Sequence, residues 1–377
     1  MAILNFPNAA GQPIDGSFTY EDNGVLYSWD GYKWTANSEQ AYDDRYVEVT
    51  GDTMTGDLTV PSLNGGPLAG LRNQLINSDF RIWQRGGVFS NLTALNSGIE
   101  YTADHVYVST ISASSGQIQF DRGTVTGLKG FAGCLQNSTN ATAYVSFPVE
   151  LDRLGGFASP FIVGETYTAS WYQTDSSQPG NNLQFKVSSD AGTFTDECIE
   201  VGSLVAEPTG VGSWTRYSQS FTMVDPTGAA PTLLALTVLI GAGQSITGAQ
   251  LEIGPVATPF ENRPYGLELS LCQRYYQLIS SPGESYTQVI ISRNSATAYG
   301  SHTPISTMRA APTADVSGVT NVQKTPGPGG TVSPRTLSCN VKGPNSVPLQ
   351  WSGYTASSNS NTAFGLFTGA VTLDAEL

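Results

Sequence analysis

Proton transfer and nucleophilic attack need histidines, cysteines or paired carboxylates held close together, and this chain is sparing with them. It has two histidines and four cysteines among 377 residues. His105 stands in Ala103-Asp104-His105-Val106-Tyr107, where a strand begins, and a structural role is expected for it. His302, in Gly300-Ser301-His302-Thr303-Pro304, reads as a loop residue and a binding candidate. No G-x-S-x-G turn stands on a strand-to-helix pattern, and no phosphate loop, HExxH or CxxC motif occurs. Cys134, Cys198, Cys272 and Cys339 lie far apart. They are expected to be buried or free thiols, as suits assembly in a reducing cytoplasm. Cleaving a glycan takes two carboxylates across a groove, and here the acids are scattered. The expectation is a protein without catalysis and with no cofactor required.

Binding a sugar asks instead for flat aromatic faces with polar groups around them. The C-terminal region supplies Tyr286, Tyr299, Trp351 and Tyr354, the last two beside the polar run Ser357-Ser358-Asn359-Ser360-Asn361. With His302 these are the glycan-binding candidates. The competing reading of Trp351 is core or inter-chain contact. Trp83, Trp171 and Trp214 fall in strand patterns and read as core, and Trp29 and Trp34 as the core of a very small sheet.

Composition sets the class. With 41 glycines, 21 prolines and 13% charged residues, the chain is expected to be mainly β and rich in turns. A net charge of −14 would repel a phosphate backbone, so nucleic acid is not an expected partner. No apolar run reaches membrane-spanning length, so no membrane insertion is expected. The start, MAILNFPNAAGQPIDG, lacks the positive region and apolar core of a signal peptide.

Four regions follow from the patterns. Residues 1–40 form a small β module around Asn23-Gly24, a hairpin signal. Residues 41–72 hold short strand-like pieces with too few apolar residues for a core of their own. Residues 73–263 alternate through many short strands: Ala143, Val145, Phe147 and Val149 on one face, then Tyr167, Ala169 and Trp171, then Tyr217, Phe221 and Met223. Leu233 to Ile240 is apolar almost throughout, as in a strand covered on both sides. This is the pattern of a two-sheet sandwich. Residues 264–377 open with a helix, in which Leu267, Leu271, Tyr275 and Leu278 share a face. Leu271 and Tyr275 are expected to be buried between the sandwich and a C-terminal β domain.

Several of these segments resemble bacteriophage tail fibre proteins. Gln250 to Tyr276 (QLEIGPVATPFENRPYGLELSLCQRYY) resembles a segment that closes a β-sandwich there and opens a short helix. Tyr27 to Trp34 resembles a module near the amino termini of phage tail proteins, and Gly51-Asp52-Thr53-Met54-Thr55-Gly56 resembles a fibre-shaft element in which three chains wind together. Met308 to Thr313 and Asp374-Ala375-Glu376-Leu377 resemble fibre ends. Asn77 to Gly86, with Phe80 and Trp83-Gln84-Arg85-Gly86, resembles the opening of fibre sandwiches and of carbohydrate-binding modules with a jelly-roll fold. The resemblance implies an attachment module (1–40), a trimeric shaft (41–72), a central jelly-roll β-sandwich (73–263), and a helix with a C-terminal β tip (264–377). It implies a homotrimer in the virion tail, made in the host cytoplasm, attached to tail or baseplate proteins and recognising a host-surface glycan. Such modules often hold a structural calcium through oxygen ligands, and Asn77, Asp79 and Glu252 lie in the corresponding regions. A structural tail adaptor without receptor binding, and a surface-polysaccharide depolymerase, are the competing expectations.

Overall fold

The structure is a computed structural model that describes residues 5–22, 25–36, 71–90, 99–110, 119–131, 133–138, 142–150, 164–174, 183–188, 199–223, 233–292, 297–327, 330–332, 336–341, 343–353 and 362–376. Nearly all of the shaft-like segment 41–72, together with Cys198 and Tyr354, lies outside them. The chain divides into two compact units, Met1–Val60 and Pro61–Leu377. Its described residues are mainly β, in antiparallel sheets, with one short helix.

In the first unit, β1 (Thr19–Asp22), β2 (Val25–Trp29) and β3 (Trp34–Ala36) make one sheet. Asp22 pairs with Val25, and the Asn23-Gly24 hairpin signal between them lies outside the described residues. At the next turn the Asp30 carboxylate accepts the N–H groups of Tyr32 and Lys33, each at 2.9 Å. The ring of Phe6 lies flat on Trp34 at 5.3 Å, and Trp29 tilts against Trp34 at 5.7 Å. Aromatic contacts replace the aliphatic core that so small a sheet cannot assemble.

The second unit begins with a sandwich. Its strands are β4 (Val88–Phe89), β5 (Glu100–Tyr101), β6 (Tyr107–Thr110), β7 (Phe120–Gly123), β8 (Cys134–Asn137), β9 (Ala143–Glu150), β10 (Thr166–Thr174), β11 (Leu183–Ser188), β12 (Ile199–Pro208), β13 (Trp214–Met223), β14 (Leu233–Ile240) and β15 (Ser245–Ile253). One sheet runs β12-β13-β10-β15-β8-β7-β4 and the other β11-β14-β9-β6-β5. The pairing is nested. β8 pairs with β15, β9 with β14 and β10 with β13. A run of strands folded back on itself in this way is a jelly roll. The inward residues of both sheets, among them Phe147, Trp171, Tyr217, Phe221, Leu236 and Ile246, form one continuous core. Along β14, Leu234, Ala235, Leu236, Thr237 and Val238 are all buried, which is why that segment shows no alternation.

The sandwich is followed by α1 (Tyr265–Gln273), then β16 (Tyr276–Ser280), β17 (Ser285–Ser292), β18 (Thr297–His302), β19 (Thr313–Asp315), β20 (Val319–Gly327), β21 (Gly330–Val332), β22 (Thr336–Cys339), β23 (Val347–Ser352), β24 (Thr362–Gly369) and β25 (Val371–Asp374). A three-stranded sheet, β16-β25-β19, and a seven-stranded one, β21-β20-β24-β17-β18-β23-β22, enclose a second core with Ile290, Trp351, Phe367 and Leu373.

The helix departs from its expected face. Its buried residues are Glu268, Cys272 and Gln273, while Leu267 is 39% exposed and Leu271 is half-buried. The helix ends at Gln273, so Leu278 belongs to β16. Within the helix the inward residues Glu268 and Cys272 each stand one position after Leu267 and Leu271, because the Glu268 carboxylate serves buried donors of the sandwich, while Tyr275, just past the helix, is buried as expected. His302 also departs from expectation, ending β18 instead of lying in a loop.

Candidate functional site

Several residues with acid–base and cationic side chains converge on one place, a polar layer between the sandwich and the C-terminal sheets. The Arg85 guanidinium lies 3.7 Å above the Tyr276 ring and pairs with Asp374 at 2.8 Å and Glu376 at 3.4 Å. Glu376 also accepts the backbone N–H of His105 at 3.1 Å and lies 3.0 Å from His105 Nδ1. His105 Nε2 is 3.0 Å from the carbonyl of Pro148, and the imidazole stacks on Tyr275 with centroids 3.8 Å apart. Beside it, Asp104 accepts the Gln84 backbone N–H at 2.9 Å and its side-chain amide. Burial pushes the Asp104 carboxyl up to about 6, against the pull of Gln84 and Arg85. Glu268 accepts the backbone N–H of Asn77 and pairs with Arg263 at 3.3 Å, and Arg263 donates to the carbonyls of Leu75 and Asn73.

Asn77, Gln84-Arg85, Asp104-His105, Arg263, Glu268, Tyr275-Tyr276 and Asp374 to Glu376 are therefore one assembly. The motifs at Asn77 to Gly86, at the helix after Arg263 and at Asp374 to Glu376 all contribute to this junction. Its acids and bases are engaged with one another, and the side chains of His105 and Glu376 are each 2% exposed, out of reach of a substrate.

The expected calcium residues do not form a ligand set. The Asn77 side-chain oxygen accepts the Ile82 N–H at 2.9 Å. Asp79 pairs with Arg81. Glu252 accepts the N–H and hydroxyl of Thr258 at 2.8 and 2.7 Å. Oxygens committed to three different donor sets do not fit a cation. Among the described residues, no group of three His, Cys, Asp or Glu side chains could hold a metal.

The aromatic candidates of the C-terminal domain are separated too. Trp351 is fully buried, tilted against Phe367 at 6.4 Å, and so offers no face to a sugar. Its strand alternates Val347, Leu349 and Trp351 inward with Pro348, Gln350 and Ser352 outward. Tyr286 stacks on Phe367 at 5.0 Å, and its hydroxyl meets His302 Nδ1 at 3.1 Å. Burial holds the His302 ring below its ordinary pKa. These two lie on the core side of the sheet. Tyr299, opposite Ile291 on the neighbouring strand, lies on the other side.

An accessible concave site occurs on the outer face of the sandwich. A cleft of about 260 Å³ is lined by Thr168 of β10, Val205 and Glu207 of β12, Arg216, Ser218 and Ser220 of β13, and Pro255 to Ala257. The sheet register builds it. Glu207 and Tyr172 flank Arg216, Val205 and Ser170 flank Ser218, and Thr168 sits beside Ser220. The segment after β15 forms a wall, tied down where the Ser220 hydroxyl donates to the Pro255 carbonyl at 2.9 Å and Arg216 donates to the Thr258 carbonyl at 2.5 Å. The guanidinium also lies 5.9 Å from the Tyr172 ring. The cleft thus joins one fixed cation, one exposed carboxylate and several hydroxyls, an arrangement that can donate and accept hydrogen bonds over a small area. Alternation along β13 indicates that Arg216, Ser218 and Ser220 face outward. That the chain after Gly254 folds over them is a tertiary contact with no local signal.

No protein family and no curated protein matches the chain. Among solved structures it is similar to the N-terminal CBM22-1-CBM22-2 tandem domain of Xyn10C from Paenibacillus barcinonensis, at 9% identity and a TM-score of 0.21, covering 83% of this chain and 99% of that one. It is also similar to the N-terminal domain of the Streptococcus gordonii adhesin Sgo0707, at 11% identity and a TM-score of 0.14, covering 77% and 72%. Neither score is high enough to establish a common fold.

Proposed function

We propose that this chain is a non-catalytic attachment protein of a phage tail fibre, and that it recognises a host-surface glycan through the cleft over β10, β12 and β13. The observation that carries this is the cleft's lining: Arg216, the Glu207 carboxylate and the Ser218 and Ser220 hydroxyls, beside the apolar side chains of Val205 and Pro255 to Ala257. Sugars present hydroxyls that both donate and accept, and this lining answers both. The volume lies below the ~300–1,000 Å³ usual for drug-sized ligands, so it suits a single unit or chain end of a larger glycan. Arg216 is held by Thr258 and Tyr172 before any ligand arrives, which lowers the ordering cost of binding. The tail-fibre part rests on the resemblances at 11–34, 43–60, 73–86, 103–107, 248–276, 308–313 and the last four residues. Three chains would bring three weak sites to one surface, and effective concentration would supply the avidity.

The test is adsorption of the full chain to a panel of immobilised bacterial surface glycans, beside Arg216→Ala and Ser218→Val, with folding checked by circular dichroism. Binding by the wild type with a tenfold or greater loss in both folded variants is the expected result. Undiminished binding by the variants removes the cleft from the reading. Release of reducing ends from a bound glycan would make the protein a depolymerase, and no binding at all would favour a structural adaptor.

A further inference from the structure

Some polar groups of the cleft over β10, β12 and β13 are already committed. The Thr168 hydroxyl donates to the Gly254 carbonyl at 2.6 Å and the Ser220 hydroxyl to the Pro255 carbonyl at 2.9 Å. Arg216 uses one nitrogen, Nη2, which donates to the Thr258 carbonyl at 2.5 Å and reaches the Ser170 hydroxyl at 3.5 Å. Its Nη1 has no partner among the described residues, and its Nε is buried without an acceptor. Glu207 is the direct cross-strand neighbour of Arg216, yet the two form no ion pair, and no other carboxylate among the described residues pairs with Arg216. An arginine stays charged at any ordinary pH. This one is met only by a carbonyl, a distant hydroxyl and the Tyr172 ring at 5.9 Å. Val205 and Val256, 48% and 47% exposed, line the same cleft, and apolar neighbours strengthen any charge interaction made beside them.

We propose that the glycan taken by this cleft is acidic, and that its carboxylate is set against Nη1 of Arg216. This rests on the reading of the cleft as a glycan site and names the class of sugar, a uronic acid or a sialic acid. Charge-assisted hydrogen bonds are roughly twice as strong as neutral ones, so a neutral sugar would leave the strongest donor of the cleft underused. The Ser218 hydroxyl lies two residues along the same face, about 7 Å up the strand, in place for a second oxygen of the ligand. Glu207 sets the limit on charge. Its Cβ stands about 5 Å from that of Arg216, and it repels a doubly charged phosphate more than a singly charged carboxylate. The net charge of −14 does not keep such a sugar away, because at ~0.15 M ionic strength charges more than about 8 Å away are largely screened.

The test uses the full chain and carboxyl reduction, which turns an acidic sugar into its neutral counterpart on the same backbone. Capsular polymers of uronic acid and of sialic acid are immobilised in native and carboxyl-reduced form, beside dextran and a phosphate-bearing teichoic acid. Adsorption is measured for the wild type, Arg216→Gln, Arg216→Lys and Glu207→Gln, with folding checked by circular dichroism. The wild type should retain at least one native acidic polymer tenfold or more above its reduced form, and which one it retains separates the two sugar acids. Arg216→Gln should lose that preference and Arg216→Lys should keep part of it. Glu207→Gln, a change at an exposed side chain, should raise the native-to-reduced ratio, since a lost hydroxyl acceptor affects both forms alike and a lost negative charge only the acidic one. Equal retention of native and reduced polymers overturns the inference while leaving the cleft as a glycan site, and so does preference for dextran or for teichoic acid. A ratio that Glu207→Gln leaves unchanged or lowers also overturns it, because the carboxylate then lies away from this strand pair. Retention of no polymer by the wild type overturns the glycan reading and this inference together.

Discussion

Replacing Asp104 by asparagine should make the protein more stable at neutral pH and flatten part of its pH dependence. Asp104 is fully buried, and burial raises its carboxyl from 3.8 to about 6. The folded state then binds this proton more tightly than the unfolded chain does. The stability this gives is complete below about pH 4 and is lost as pH rises through about 6. A shift of about 2 units at ~1.4 kcal/mol each gives a difference of about 3 kcal/mol between the two ends of that window. Asparagine keeps an oxygen for the Gln84 backbone N–H and carries no charge to desolvate. Urea unfolding followed by tryptophan fluorescence at pH 4, 5, 6 and 7 measures the effect. The variant should be close to the wild type at pH 4 and gain steadily on it up to pH 7. Parallel curves, or a variant that loses ground as pH rises, would mean that Arg85 holds Asp104 ionised and that burial does not dominate.

Other outcomes follow from the same contacts. Glu376→Ala leaves Arg85 with Asp374 alone and strips the His105 backbone N–H of its acceptor; a loss of about 3–5 kcal/mol is expected, read as a lowered urea midpoint. Trp351→Ala empties a fully buried position in the C-terminal core and should cost about 3–5 kcal/mol, whereas a sugar-facing tryptophan would cost little. Gly365→Ala would bring a methyl to 2.6 Å from the Trp351 ring, and a loss of about 1–3 kcal/mol in the same assay is expected from that overpacking. Burial pushes the thiols of Cys134 and Cys339 up to about 11 and that of Cys272 well above its ordinary value. All three should resist iodoacetamide at pH 8 in the folded chain and react once urea unfolds it, as mass spectrometry of the alkylated peptides would show.

Local pattern carried the fold a long way. Alternation in Tyr167 to Trp171 and Ala143 to Val149 placed those residues in the sandwich core, where they are buried. It failed where polar residues go inside. Thr168 and Ser170 are buried as well, since the chain after β15 covers their face, and the helix turns Glu268 inward instead of Leu267. At Trp351, the polar run that follows outweighed the period-two pattern of Val347, Leu349 and Trp351, which places the ring inside. The junction was illegible because its pairs are remote: Arg85 and Asp374 are 289 residues apart, and no spacing rule reaches so far. The motifs were visible as motifs, but that they serve one another is a fact of tertiary structure. The cleft was half visible, its floor in the alternation of β13 and its wall nowhere.

The distance between the two halves of the junction also sets an order of events. His105 and Glu376 are 271 residues apart in the chain, and synthesis at about 5–20 residues per second would separate their emergence by roughly 14–54 s. A sandwich that folds as soon as its strands leave the ribosome does so with Arg85 and the His105 N–H still lacking their carboxylates. Closing a loop that long adds little to the equilibrium cost but delays the contact. The sandwich must therefore wait in an unfinished form, its polar end hydrated. A chain cut short before Asp374 would remain in that form, exposed to proteases and to premature assembly.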